Sequence, residues 1–274
     1  MVAAAAPVFT DPWKIGAVES PAAGLPTNRR RAAWEIFLVL GLSLGQSAVY
    51  SVLRIIERLT REVPLSQQTS TLNPSATPDR PWLDLTYQLV GIAFGLMPVV
   101  LALYLLQLTD PPAGERIGFD LHRPVFDLGR GLLLALAIGI PGLALYFGAR
   151  EIGLNTEVRG SGLAENWWTL PVLILSAAQN AVLEEVIMIG FLFTRFAQLG
   201  WRVALIVVVS SVLRGAYHLY QGWGGFLGNL LMGVIFGLIY LRWKRVGPLV
   251  VAHTTLDIAA FLGYAVLAPR LSWL

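Results

Sequence analysis

Six ionisable side chains lie deep inside apolar sequence, where a charge is costly and therefore informative: Glu184, Glu185, Arg214, His218, His253 and Asp257. Their spacing is regular. Asn180 and Glu184 are four apart, as are Arg214 and His218, and His253 and Asp257, so each pair lies along one helix face. Three helices in the last third of the chain thus each present a polar stripe, and the economical expectation is one shared site.

Three chemistries suit a carboxylate with two histidines. A buried carboxylate can take a proton from water while one histidine holds that water and the other donates to an oxyanion. Alternatively, Glu184, His218 and His253 make a three-ligand zinc site with an open position for water, Asp257 being a ligand or an orienting group. Both end in hydrolysis of a carbonyl bond within the membrane. Chains of Glu, His and Asp also move protons or ions across membranes. The plain alternative is a set of interhelical hydrogen bonds that fastens a bundle. The third histidine, His122, sits beside Arg123 and Pro124 in loop sequence and is assigned no role.

The elements that must position these groups are membrane helices. Apolar residues make up 55% of the 274 and charged ones 14%, against roughly 25% charged in a soluble domain. Apolar runs fall near residues 34–56, 85–108, 128–147, 170–193, 203–219, 226–241 and 249–267, of which the fifth and sixth are the shortest. About 20 apolar residues cross a bilayer as a helix, and strand alternation is absent. The expected fold is therefore an all-α polytopic bundle of about seven transmembrane helices, or eight if one span is missed. The chain divides into a disordered cytoplasmic tail (1–33), N-terminal helices and loops (34–165) and a catalytic membrane region (166–274). Pro64–Pro81, rich in Ser, Thr, Gln and Pro, reads as an outside loop without structure of its own. Glu35, Arg54 and Asp84, near span ends, are expected to snorkel to the surface. Gly91/Gly95, Gly224/Gly228 and Gly233/Gly237 have the spacing of close helix contacts.

Outside the spans, Lys and Arg number 12 on one set of connections and 6 on the other, which puts the N-terminus in the cytoplasm. The 18 arginines and 2 lysines are scattered at span edges, the pattern of a membrane protein in contact with lipid and not of a nucleic-acid surface. With no cysteine, thiolate chemistry and disulfides are excluded.

The stretches Glu184-Glu185-Val-Ile-Met-Ile189, Arg214-Gly-Ala-Tyr-His218 and His253-Thr-Thr-Leu-Asp257 resemble the CPBP family (CAAX proteases and bacteriocin-processing enzymes, also called Abi). Its motifs are EExxxR, FxxxH and HxxxN or HxxxD, and the resemblance covers roughly residues 170–262. It implies a multispanning endopeptidase, like the type II CAAX prenyl enzymes, that cleaves membrane-associated peptides or proteins. It also implies that Glu184 activates water with help from His218, and that His253 and Asp257 form the oxyanion-stabilising or metal-holding side. Relatives are described both as metalloproteases and as metal-free glutamate enzymes. The family's bacterial branch points to a prokaryotic plasma membrane. A catalytically silent scaffold or immunity protein, or a proton-coupled transporter, would be the other classes. The lack of an internal repeat counts against the transporter.

Two positions depart from the family motifs. Ile189 stands where the motif has arginine, and Arg214 where it has phenylalanine. Glu185 thereby loses a partner four residues on, and a buried carboxylate needs one. The expectation is that Arg214 pairs with Glu185 across helices, in which case Arg214→Leu destabilises or inactivates and Arg214→Phe with Ile189→Arg restores folding. Asn180, Tyr217 and Asn229 are candidate wall residues. One tension remains. Glu184 lies about ten residues from the cytoplasmic end of its apolar run, whereas His218 lies some sixteen residues from Arg202, a difference of roughly 9 Å in depth.

Overall fold

A computed structural model describes residues 29–108 and 112–267. Residues 1–28, most of the expected tail, lie outside these; the last five residues assigned to the tail are helical, because the first helix begins at Arg29.

Each of the seven apolar runs is helical. The first is a bent pair, α1 (Arg29–Gly41) and α2 (Leu44–Leu59), which meet at 51°. Gly45 permits the bend, since a Cβ there would stand 2.7 Å from the Leu40 carbonyl oxygen. After strand β1 (Thr69–Thr71), α3 (Pro81–Gly95) and α4 (Met97–Gln107) together form the second run, with Pro98 at the start of α4. The short α5 (Ala113–Ile117) and the long α6 (Pro124–Glu151) follow, then strand β2 (Glu157–Arg159). The fourth run is one rod, Thr169–Gln198. It comprises α7 (Thr169–Glu184), a π-helical turn (Glu185–Phe191) and α8 (Leu192–Gln198). The chain ends in α9 (Val203–Tyr217), α10 (Trp223–Trp243) and α11 (Gly247–Leu267).

Among the described residues, four helices are long and apolar enough to cross a membrane, or five if the bent pair is one span. α9 and α11 are shorter apolar helices. The sixth run is longer than its sequence suggested, since α10 extends through both flanking tryptophans. Trp223 and Trp243 are 20 residues apart, roughly 30 Å at helical rise, which is the thickness of the hydrocarbon core. Exposed Trp82 and Trp167 meet edge to face at one end of the bundle, and Trp34 and Trp201 are exposed at the other, as in the aromatic belts of membrane proteins. The chain is a helical integral membrane protein.

The Thr169–Gln198 rod is the central element: 56% of its apolar window is buried, against 17–28% for the other three long helices. α11 packs on α6 and α7, and α9 on α10 and α2. Gly233 brings α10 against α9, where a Cβ would stand 2.9 Å from the Ser211 Cα.

The Pro64–Pro81 segment is ordered, contrary to expectation. β1 pairs in parallel with β2, with Thr69 opposite Glu157 and Thr71 opposite Arg159. The Asn73 amide donates to the Gly160 carbonyl and accepts from Ser176 Oγ, both at 2.8 Å. Asp84 does not snorkel. It is buried and accepts from the Ala76 N–H at 2.8 Å and from Ser75 Oγ at 2.9 Å. The order comes from these long-range bonds, which composition does not reveal. Glu35 is also buried, in an ion pair with Arg195 (2.6 Å) and Arg31 (2.8 Å). Arg54 is exposed.

On the α8–α9 side, Arg245 forks onto Asp127 (2.7 and 2.8 Å) and Asp120 (2.9 Å), fastening the α10–α11 turn to the start of α6. The Arg245 hydrogen bond holds the Asp120 carboxyl below the usual carboxylate range. Such a group contributes stability above its unfolded pKa, near 3.9, and loses it as pH falls through the lowered folded value. Asp120→Asn is therefore expected to cost about 1–3 kcal/mol at neutral pH. The gap from wild type should narrow in acid. Thermal unfolding in detergent at pH 7 and pH 3 measures both.

Candidate active site

Glu184 closes α7 and Glu185 opens the π turn, so the paired glutamates sit where the hydrogen-bond register changes. All seven residues of that turn are buried, and π turns of this kind recur at functional sites. Ser210 Oγ on α9 donates to the Met188 carbonyl at 2.8 Å, tying the widened turn to its neighbour.

Depth is matched between α8 and α9. The rod continues past residue 193 to Gln198, so Glu184 is about 14 residues, roughly 21 Å, from its end. His218 is about 15 residues, roughly 22 Å, from the start of α9. The tension seen in the sequence came from ending the fourth run too early.

His218 Nε2 is 3.8 Å from Glu184 Oε1, and His253 Nε2 is 4.0 Å from Glu184 Oε2 and 3.6 Å from Asp257 Oδ1. These separations are too long for direct hydrogen bonds and short enough for one atom to be shared. His253 Nδ1 donates to Glu185 Oε1 at 2.7 Å, which leaves Nε2 turned toward the other two carboxylates. Arg214 Nη2 donates to the same Glu185 oxygen at 2.5 Å and lies 3.9 Å from Glu184 Oε2. Its guanidinium also covers the Phe236 ring, 5.4 Å from the centroid. Glu185 and Arg214 have side-chain exposures of 0% and 1%, so the arginine is an interior partner and not a headgroup contact. Ile189, at the motif's arginine position, is packed in the core.

Tyr217 does more than line a wall. Its hydroxyl donates to Glu184 Oε2 at 2.7 Å, which leaves Oε1 as the oxygen facing His218. Gln221, which the sequence did not single out, approaches His218 Nδ1 with its amide nitrogen at 3.4 Å. A short 3-10 turn, Leu219–Gln221, brings it back over the ring. Gly222 ends that turn at φ 110°, where a Cβ would stand 2.6 Å from the Leu154 carbonyl oxygen. Asn180 is half-buried one turn before Glu184 and is not bonded to the cluster; Asn229 donates to the Gly225 carbonyl on its own helix. His122 is exposed, beside Asp120, far in sequence from the cluster.

Single donor atoms of Glu184, Glu185 and His253 lie within 4.8 Å of one another, a grouping able to hold a metal ion. Glu185 is already engaged by Arg214 and His253. His218 Nε2, by contrast, is buried without a hydrogen-bond partner. Within the grouping, Glu184 Oε1, Glu185 Oε2 and His253 Nε2 accept no hydrogen bond from the described residues, and His218 Nε2, outside it, stands 3.8 Å from Glu184 Oε1.

Residues 166–259 match the family profile of the type II CAAX prenyl endopeptidases, Rce1-like. No curated protein and no solved structure gives a significant match. The matched segment runs from just before α7 into α11 and contains every member of the cluster, so over these residues the chain is similar to the CAAX-protease (CPBP) family.

Proposed function

We propose that the protein is an intramembrane endopeptidase in which Glu184 is the general base. The observation that carries this reading is the arrangement about one carboxylate: Tyr217 occupies Oε2, while Oε1 faces the unpartnered His218 Nε2 across 3.8 Å. A water held between Oε1 and His218 gives its proton to Glu184 as its oxygen attacks the scissile carbonyl carbon. The carbonyl π pair moves onto oxygen, and the oxyanion is held by hydrogen bonds from the Nε2–H groups of His218 and of His253, the latter as an imidazolium because its Nδ1–H already donates to Glu185. Collapse breaks the C–N bond, and Glu184 returns its proton to the leaving amine. Asp257 orients His253 from one side and Glu185 from the other. Arg214 balances the charge of the two glutamates.

The donor set suits zinc. Glu184, His218 and His253 would hold it, and a bound zinc would lower the pKa of its water and polarise the carbonyl. The substrate is a membrane-associated peptide or protein. The 12-to-6 distribution of basic residues supports a cytoplasmic N-terminus, and short loops with the bacterial family resemblance support a prokaryotic plasma membrane.

Profiling protein termini in cells lacking the protein, complemented with wild type or with Glu184→Ala at equal membrane abundance, tests the reading. New termini seen only with wild type are the expected result. Identical termini despite a rescued phenotype would overturn it in favour of a scaffold.

A further inference from the structure

His218 stands at the C-cap of α9, a place where helices fray because the last carbonyls lack partners within the helix. Here the turn that follows, Leu219–Gln221, is clamped from three distant parts of the chain. Ser51 Oγ on α2 accepts the Tyr220 N–H at 2.7 Å. Ser70 Oγ on β1 donates to the Tyr220 carbonyl at 3.0 Å. Thr156, just before β2, donates its N–H at 2.9 Å and its hydroxyl at 3.0 Å to the Gln221 carbonyl. Ser51, Ser70 and Thr156 are all buried. Each of these bonds is made to main-chain atoms of the turn. The Gln221 side chain is left over from that work, and it folds back onto the ring of His218.

The amide nitrogen of Gln221 carries two hydrogens. One goes to the Tyr220 hydroxyl at 2.9 Å, and the other to His218 Nδ1 at 3.4 Å. A neutral imidazole has one ring proton, so an Nδ1 that accepts from an amide leaves that proton on Nε2. The opposite edge of the ring selects the same form. Nε2 faces Glu184 Oε1 across 3.8 Å, where the carboxylate attracts an N–H and repels a bare lone pair.

We propose that Gln221 is a positioning residue that holds His218 as the Nε2–H tautomer, the form that can hydrogen-bond the attacking water and then the oxyanion. This assignment of a role rests on the endopeptidase reading above. Gln221 acts only through His218. A histidine that binds zinc through Nε2 needs that nitrogen bare, and the amide would then have to turn its oxygen to Nδ1–H, so the tautomer assigned is that of the metal-free protein.

The ring nitrogens report the tautomer directly. Full-length protein, isotope-labelled at the histidine ring nitrogens, is dialysed against a chelator, reconstituted in liposomes and measured by solid-state NMR, in which protonated and bare nitrogens differ in chemical shift. His122→Asn removes one of the three histidine signals, and His218→Gln assigns another. Gln221→Met keeps the length of the side chain without its donor, and Gln221→Glu offers an acceptor in its place. In wild type the expected spectrum has His218 protonated at Nε2 and bare but hydrogen-bonded at Nδ1. Gln221→Met should move the Nδ1 signal to its unbonded position, and Gln221→Glu should put a proton on Nδ1. In both variants kcat should fall about 10–100-fold, the range for loss of an orienting partner, with KM and melting temperature unchanged, because the turn is held through its main chain. A proton on Nδ1 in wild type, an Nδ1 signal indifferent to both substitutions, or a loss of cleavage matched by a loss of melting temperature would each overturn the proposal. The spectra need no cleavage. An inactive protein whose His218 tautomer follows Gln221 fails only the endopeptidase reading, and an active one protonated at Nδ1 fails only this one.

Discussion

Glu184→Gln is expected to lower peptide-bond cleavage by on the order of 10²–10⁴-fold, the range for removal of a positioned general base, with little change in thermal stability. The amide matches the carboxylate in shape. Its carbonyl oxygen can still accept the Tyr217 hydroxyl, which donates at 2.7 Å. Arg214 keeps its main partner, since it bonds to Glu185 at 2.5 Å and approaches Glu184 only to 3.9 Å. What the amide cannot do is take a proton from water. Cleavage in proteoliposomes, with melting in detergent as the control, separates the two effects. Retained cleavage would move the base elsewhere in the cluster, and a collapsed melting transition would make Glu184 a structural residue first.

Much of this architecture is visible in residue types and spacing alone. The seven apolar runs mark the helices because a bilayer demands length and apolarity, both of which are written in composition. The pairs Arg214/His218 and His253/Asp257 mark a shared site because a four-residue spacing fixes a helix face. What stayed hidden depends on hydrogen-bond register or on distant partners. The π turn over Glu185–Phe191 has no compositional signal. Tyr217 beside a histidine reads as an aromatic wall until its hydroxyl is seen on Glu184. The segment around β1 looks unstructured because its order is supplied from far along the chain, by Gly160, Ser176 and β2. Glu35 and Asp84 look like snorkelling side chains because a position near a span end does not show whether a buried partner waits there.

Arg214→Leu is expected to be the most destabilising single substitution in the cluster, at about 3–5 kcal/mol, the cost of removing one partner from a buried ion pair. An exposed pair would cost at most about 1 kcal/mol, so the size of the effect tests burial as well as pairing. Arg214 is 1% exposed and Glu185 0%, and Glu185 Oε2 already lacks a partner. Without the guanidinium, Glu185 keeps only the His253 Nδ1 bond. The same loss would let His253 turn, so cleavage should fall along with stability. The rescue is specific. Arg214→Phe places a ring beside Phe236, which the guanidinium now covers, and Ile189→Arg returns a cation to the turn after Glu185. Each change alone should destabilise: the first strands Glu185, and the second buries an arginine at a position now 1% exposed. Together they should recover most of the loss, giving a coupling energy well above the few tenths of a kcal/mol expected for independent sites. Thermal unfolding of the two single variants and the double variant in one detergent measures that coupling. Additive losses would mean that position 189 cannot reach Glu185 across the π turn, and that the cation must come from α9.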